Sequence, residues 1–155
     1  MPRQAGRPPR AQQQGQAVRE LAVVHQLLTT RLNRALRPLG LTMTHTSLLF
    51  HLAGTSRPCS VNEIAAAMEV NQPAVSKTLR TLAERGAVSV GTDAEDARRR
   101  TVELTTAGQD LLHQAISAMH PEAGAALEPL SDGDLDTLLT LLHDVRTHLD
   151  TLRDT

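Results

Sequence analysis

Residues Ser60 to Val90 read SVNEIAAAMEVNQPAVSKTLRTLAERGAVSV, and this stretch decides the fold. Ser60 with Glu63 three positions on is a capping box, in which a hydroxyl and a carboxylate each satisfy a backbone amide stranded at a helix start. Val61, Ile64, Ala65 and Met68 then recur at the spacing of one helix face. A tight Glu69-Val70-Asn71 connection follows. Asn71 is suited to cap a second helix, and Pro73 is tolerated in its first turn, where a missing amide hydrogen costs little. Val75, Leu79 and Leu82 form the inner face of that helix, and Gly86 ends it in the left-handed conformation that glycine accepts. Val88 and Val90 alternate with polar residues, which is the period of a strand.

Upstream, Leu21, Val24, Leu28, Leu32, Ala35 and Leu36 predict a first helix from about Ala17, stopped by Pro38 and Gly40. Thr44 is the expected cap of a shorter helix carrying Leu48, Leu49 and Leu52 and ending at Gly54. Downstream, Val102 and Leu104 predict a second strand, and the GTDAEDARRR between the strands predicts a hairpin with a charged tip. Thr105 or Thr106 should cap a fifth helix bearing Leu111, Leu112, Ala115, Ile116 and Met119, with a kink or break at Pro121. Ser131 with Asp134 opens the last helix, along which Leu135, Leu138, Leu139, Leu142, Val145, Leu149 and Leu152 make a broad apolar stripe.

Helix, short helix, turn, second helix and hairpin is the order of a helix-turn-helix with a wing. The expected fold is therefore mainly α with a small β-hairpin wing: a winged helix-turn-helix lobe plus a helical dimerisation lobe. Residues 1–16, rich in Pro, Gly, Gln and Arg, read as a flexible basic arm. Residues 17–40 form the first helix, 41–105 the winged helix-turn-helix lobe, and 106–155 the C-terminal dimerisation helices. With Val75, Leu79 and Leu82 turned inward, helical geometry turns Gln72, Ser76, Lys77 and Arg80 outward, with Thr81 beside them. Those residue types read base edges: Gln pairs with adenine and Arg or Lys with guanine. Arg98, Arg99 and Arg100 at the hairpin tip suit a narrow, negative minor groove. Asp96 is expected to orient the wing by hydrogen-bonding Arg98 or the recognition helix. An ordinary helical hairpin with a solvated polar face would share the helical pattern, but not the basic tip that follows it.

Composition agrees with duplex recognition. The chain has 155 residues, 40% of them hydrophobic, and Phe50 is its single aromatic residue, which disfavours single-strand binding by base stacking. The net charge of −1 hides an asymmetry: residues 1–16 carry +3, residues 17–120 carry 11 basic against 9 acidic groups, and residues 121–155 carry 2 against 8. No apolar run suggests a membrane span or a secretory signal, and one cysteine, Cys59, fits a reducing cytoplasm.

The segment from Thr42 to Thr106 resembles the MarR-type (multiple antibiotic resistance) winged-helix regulators. The family's wing pattern, Asp-x-x-Asp-x-Arg and then Leu-Thr-x-x-Gly, is matched by Asp93, Asp96 and Arg98 and by Leu104, Thr105 and Gly108. Ala97 stands where many members carry a second basic residue. The resemblance implies a homodimer on a pseudo-palindromic operator, usually a repressor, with Arg98 as the minor-groove arginine. It also implies a small phenolic or anionic effector near the junction of the lobes, where Met43, His45, Phe50, His51 and His113 are the candidates. The first and last helices match the family's dimerisation elements, placing Leu21, Leu28, Leu135, Leu138, Leu142, Val145 and Leu149 at the interface. An apolar stripe wider than a small body can cover points the same way.

No cofactor or metal is expected. His113 and His120 are seven apart and His143 and His148 five apart, not the four-residue spacing that chelates from one helix face. No nucleophile elbow, P-loop, dinucleotide fingerprint or zinc-protease motif occurs, so the chain does not read as an enzyme. The competing readings are a winged helix that binds protein instead of DNA, disfavoured by the outward Lys77 and Arg80, and a metal-responsive regulator, disfavoured by a third helix without Cys or His. Cys59 reads as an inert small residue.

Overall fold

Capping residues set most of the boundaries. The computed structural model describes residues 8–153. Its helices are α1 (Arg10–Leu36), α2 (Met43–Ala53), α3 (Val61–Met68), α4 (Gln72–Glu84), α5 (Thr106–Leu127) and α6 (Asp132–Leu152). A short 3-10 turn, Arg37–Leu39, follows α1. Three strands, β1 (Cys59–Ser60), β2 (Val88–Thr92) and β3 (Arg100–Leu104), form an antiparallel sheet in the order β1-β3-β2. The chain divides into two compact units, one up to Met119 and one from His120.

The first unit is built on the helix-turn-helix. Ser60 and Glu63 make the expected reciprocal cap, with the Ser60 amide donating to Glu63 Oε2 at 2.7 Å and the Glu63 amide donating to Ser60 Oγ at 3.2 Å. Asn71 Oδ1 accepts from the Ala74 amide at 2.9 Å and starts α4. Between these helices Glu69 takes the left-handed conformation at φ 54°, a small strain for a side-chain-bearing residue, and this lets the chain reverse within three residues. Val75, Leu79 and Leu82 are buried with Ile64 from α3, Leu48 and Leu49 from α2, and Leu36 from the end of α1.

Four boundaries depart from the sequence reading. Helix α1 begins at Arg10, not Ala17, so residues 10–16 are helix and not arm; residues 1–7 lie outside the described residues. Pro8 and Pro9 cannot continue a helix backwards, and the Ala and Gln after them are good helix formers despite Gly15. Thr42, not Thr44, caps α2, because the His45 ring takes the place usually held by Glu or Gln: its Nδ1 accepts from the Thr42 amide at 3.1 Å. Strand β1 is absent from the sequence reading. Two residues carry no periodic signal, and the strand exists only through pairing of Cys59 with Val102 and Ser60 with Thr101. Helix α5 runs through Pro121 to Leu127 without the expected break. The carbonyl that loses its partner belongs to Ser117, which is exposed and open to water.

The wing is rooted at the corner where α4, β2 and α5 meet. Gly86 is left-handed at φ 69°, as the sequence implied. Thr105 Oγ1 donates to the Gly86 carbonyl at 2.6 Å and accepts from the Gly108 amide at 3.0 Å, so it caps α5 and fastens it to the end of α4. A Cβ on Gly108 would collide with the carbonyl oxygen of Ala87 and lie 2.6 Å from Leu104 Cδ1. The Leu104-Thr105-x-x-Gly108 pattern is therefore a steric requirement of this corner. Beyond it the hairpin leaves the body, and Val88 is buried while Val90, on the same face, is exposed.

In the second unit α6 opens with the expected reciprocal cap of Ser131 and Asp134, and none of its residues is buried. Leu139, Leu142, Val145, Leu149 and Leu152 are exposed, while Leu135 and Leu138 are half-buried.

Two outcomes test these junctions. Gly108→Ala should lower stability by about 1–3 kcal/mol, read as a lower denaturant midpoint at constant m; an unchanged midpoint would show that the corner yields freely. His45 is held below its ordinary value of 6.5, first by burial and then by the charge of Arg85. The folded state thus binds fewer protons than the unfolded chain, so stability should fall as pH drops through the ordinary histidine range. His45→Gln, which keeps an acceptor in place, should flatten that slope in denaturation curves taken from about pH 7 to pH 5.

Candidate nucleic-acid interface

Burial of one side of α4 decides what the other side offers. Gln72, Lys77 and Arg80 are exposed, and Ser76 and Thr81 are half-buried. Thr81 turns its hydroxyl back to the Lys77 carbonyl at 3.4 Å. Gln72 and Ser76 line a cleft of about 600 Å³ whose other walls are residues 60–63 at the start of α3, with the Glu63 carboxylate among them, and Asp96, Arg98, Arg99 and Arg100 from the wing. The N-terminal part of α4 and the basic wing tip thus face one open space. Lys77 and Arg80 do not line it and stand free on the exposed face of α4.

The wing loop between β2 and β3 is held by its own acids. Asp93 Oδ1 accepts from the amides of Glu95 at 2.8 Å and Asp96 at 3.3 Å, which holds its carboxyl below the ordinary range. The Asp93 amide donates to the Arg99 carbonyl at 2.8 Å and closes the loop. Asp96 Oδ1 accepts from the Arg98 backbone amide at 2.9 Å, and its carbonyl accepts from the Arg99 amide at 2.9 Å. Asp96 therefore engages Arg98 through the main chain.

The three wing arginines are not equivalent. Among the described residues the side chains of Arg98 and Arg100 meet no carboxylate, whereas Arg99 Nη2 lies 3.2 Å from Glu63 Oε2 and 3.3 Å from Ser60 Oγ. Glu63 also takes Arg57 Nη2 on Oε1 at 2.8 Å. These donors, Arg57 first and Ser60 next, push the Glu63 carboxyl down to about 2. The sequence reading gives Glu63 a capping role only, gives Asp93 only a place in the wing pattern, and gives Arg57 no part beside Glu63 or the wing. An aspartate opening a polar turn is a sequence-level signal for what Asp93 does. The Glu63–Arg99 pairing has none, because it joins segments far apart in the chain.

The effector candidates are dispersed in their local roles. His45 is engaged in capping α2, the Met43 amide donates to Asn33 Oδ1 at 2.7 Å while its side chain packs against the core, and Phe50 is 47% exposed. His51 is half-buried on α2 and His113 is exposed on α5. Of the expected interface residues, Leu21, Leu142, Val145 and Leu149 are exposed and Leu28 is half-buried.

Comparison with known proteins places this architecture. Residues 39–99 match the model of the MarR family. Over that segment, which spans the helix-turn-helix and most of the wing, the chain is similar to the MarR family. Among solved structures, a MarR cysteine-to-serine mutant from E. coli complexed with operator DNA matches with a TM-score of 0.70 and 24% identity, over 82% of this chain and 91% of that one. The transcriptional regulator BldR from Sulfolobus solfataricus gives a TM-score of 0.79 at 21% identity, over 91% of this chain and 99% of that one. A probable transcriptional regulator from Pseudomonas aeruginosa gives 0.69 at 26% identity, over 81% and 92%. The first two likenesses bear on the fold, which is the MarR winged helix. Among the described residues no helix is long and apolar enough to cross a membrane, and no three His, Cys, Asp or Glu side chains gather as a metal site.

Proposed function

We propose that this protein is a sequence-specific, duplex-DNA-binding transcriptional regulator, acting in the cytoplasm as a homodimeric repressor on a pseudo-palindromic operator and not as an enzyme. The observation that carries the reading is the shared cleft. Gln72 and Ser76 on the first turns of α4 and the arginines of the wing open onto the same space. A helix in the major groove with its N-terminal residues on base edges, and a wing on the neighbouring minor groove, need that juxtaposition. In this reading Gln72, Ser76, Lys77, Arg80 and Thr81 belong to the helix side of the interface, Arg98 enters the minor groove, and Asp96 sets its direction. The E. coli relative solved with operator DNA shares the fold and supports the same use of it here.

The homodimer is supported by apolar surface that the single chain leaves open. Val18, Leu21, Val24 and Leu27 on α1 and Leu139, Leu142, Val145 and Leu149 on α6 are all at least two-fifths exposed. Faces of this kind mark association surfaces, and two-fold pairing would set two α4 helices about 34 Å apart, one turn of duplex. A phenolic or anionic effector acting near α2 and α5, around Met43, His45, Phe50, His51 and His113, completes the reading.

The deciding experiment is duplex binding across a salt series, with a site selected from a random pool by the wild-type protein. Arg98→Ala should weaken binding and reduce the slope of log K against log salt by about 0.9 for each phosphate that the guanidinium neutralises. An unchanged slope would remove Arg98 from the interface. In sedimentation, the wild type should run as a dimer, and Leu142→Asp with Leu149→Asp should shift it toward monomer; a wild-type monomer at all concentrations would defeat the two-fold arrangement.

A further inference from the structure

The wing carries three consecutive arginines, and their surroundings differ. Arg99 lies in the loop just before β3, and its backbone closes that loop at both ends: its amide donates to the Asp96 carbonyl and its carbonyl accepts from the Asp93 amide. Its side chain reaches 39 positions back in sequence to Ser60 Oγ, and lies 3.2 Å from Glu63 Oε2. Both oxygens of Glu63 are engaged: Oε1 accepts from Arg57, and Oε2 accepts from the Ser60 amide and lies within ion-pair distance of Arg99. Ser60 is itself paired with Thr101 in the sheet. The tip of the wing is thus fastened to the N-terminus of α3 by a carboxylate held between two guanidinium groups.

This arrangement has two physical consequences. Glu63 lines the cleft that the proposed duplex would enter, and an uncompensated carboxylate there would repel phosphate; Arg57 and Arg99 neutralise it. An arginine whose charge is spent on that carboxylate, with side chains 47% and 33% exposed, adds little to global stability. It can still fix the direction of a loop that has few other ties to the body.

Building on the DNA-binding reading above, we propose that Arg99 and Glu63 are positioning residues, a strut that holds the wing over α3 so that Arg98 and Arg100, and not Arg99, meet the duplex. Specificity, more than raw affinity, depends on the strut, because a loose wing keeps its positive charge but loses its register against the recognition helix.

The test compares Glu63→Gln, Arg99→Ala and Arg98→Ala in the full-length protein. Gln at this position still caps α3, so Glu63→Gln preserves the fold. In the free protein, hydrogen exchange at the Asp93 and Arg99 amides should speed up by about two- to fivefold in Glu63→Gln and in Arg99→Ala, the range expected for one exposed ion pair. With the pool-selected duplex and a scrambled duplex of equal length, both variants should lower the selected-to-scrambled affinity ratio by a similar factor. Arg99→Ala should leave the salt slope at the wild-type value, Arg98→Ala should reduce it, and Glu63→Gln should raise affinity for the scrambled duplex by freeing positive charge. The double variant should be no worse in that ratio than the worse single one. A salt slope that falls as far in Arg99→Ala as in Arg98→Ala makes Arg99 a DNA-binding residue and overturns the proposal, as do unchanged wing-amide exchange rates. A wild-type chain that selects no duplex refutes the DNA-binding reading itself; the exchange measurement then stands alone and upholds or overturns the strut.

Discussion

The burial of Val75, Leu79 and Leu82 against α2 and α3 fixes the rotation of α4, and the proposed DNA-binding face depends on that one constraint. A helix with three consecutive inward positions at spacings of four and three cannot rotate without exposing a leucine or burying a charge, and either change costs more than the small surface terms could restore. Gln72, Lys77 and Arg80 are consequently presented together. The caps at Ser60 and Asn71 set where α3 and α4 begin, and left-handed Glu69 sets the tightness of the reversal between them.

A second constraint relates the wing to that helix. Thr105 bonds the Gly86 carbonyl, and the absence of a side chain at Gly108 admits the Ala87 carbonyl into the first turn of α5. The corner between α4 and β2 and the corner between β3 and α5 are thereby one object. The hairpin leaves the body from a fixed root, and its loop is closed by Asp93 and by the backbone of Arg99. Two of the acidic residues in the basic wing are thus accounted for, since Asp93 and Asp96 are occupied by main-chain amides, and the neighbouring Glu63 of α3 is occupied by Arg57 and Arg99.

Segments of the chain contrast in how they satisfy their apolar residues. The winged-helix lobe buries its leucines within one chain, from Leu36 to Leu112. Helix α6 buries none of its own, and the N-terminal two-thirds of α1 leaves Val18, Leu21, Val24 and Leu27 open to solvent. The apolar stripes on α1 and α6 are the surfaces on which the proposed homodimer rests.

Much of what local chemistry specifies was legible in the residues alone. Capping boxes at Ser60–Glu63 and Ser131–Asp134, the Asn71 cap, the inner face of α4 and the left-handed Gly86 each depend on residues within a turn or two of one another. Local rules also misled where two of them competed. Thr44 reads as the cap of α2 until the His45 ring is seen to complete one at Thr42, and Pro121 reads as a break although the helix continues where the residue four positions before it is exposed. Strand β1, the close approach at Gly108 and the partition of the wing arginines came only with the folded chain. Each of these joins residues distant in sequence, and the pairing energy exists only once the intervening segments have folded, so no pattern within a short window could record it.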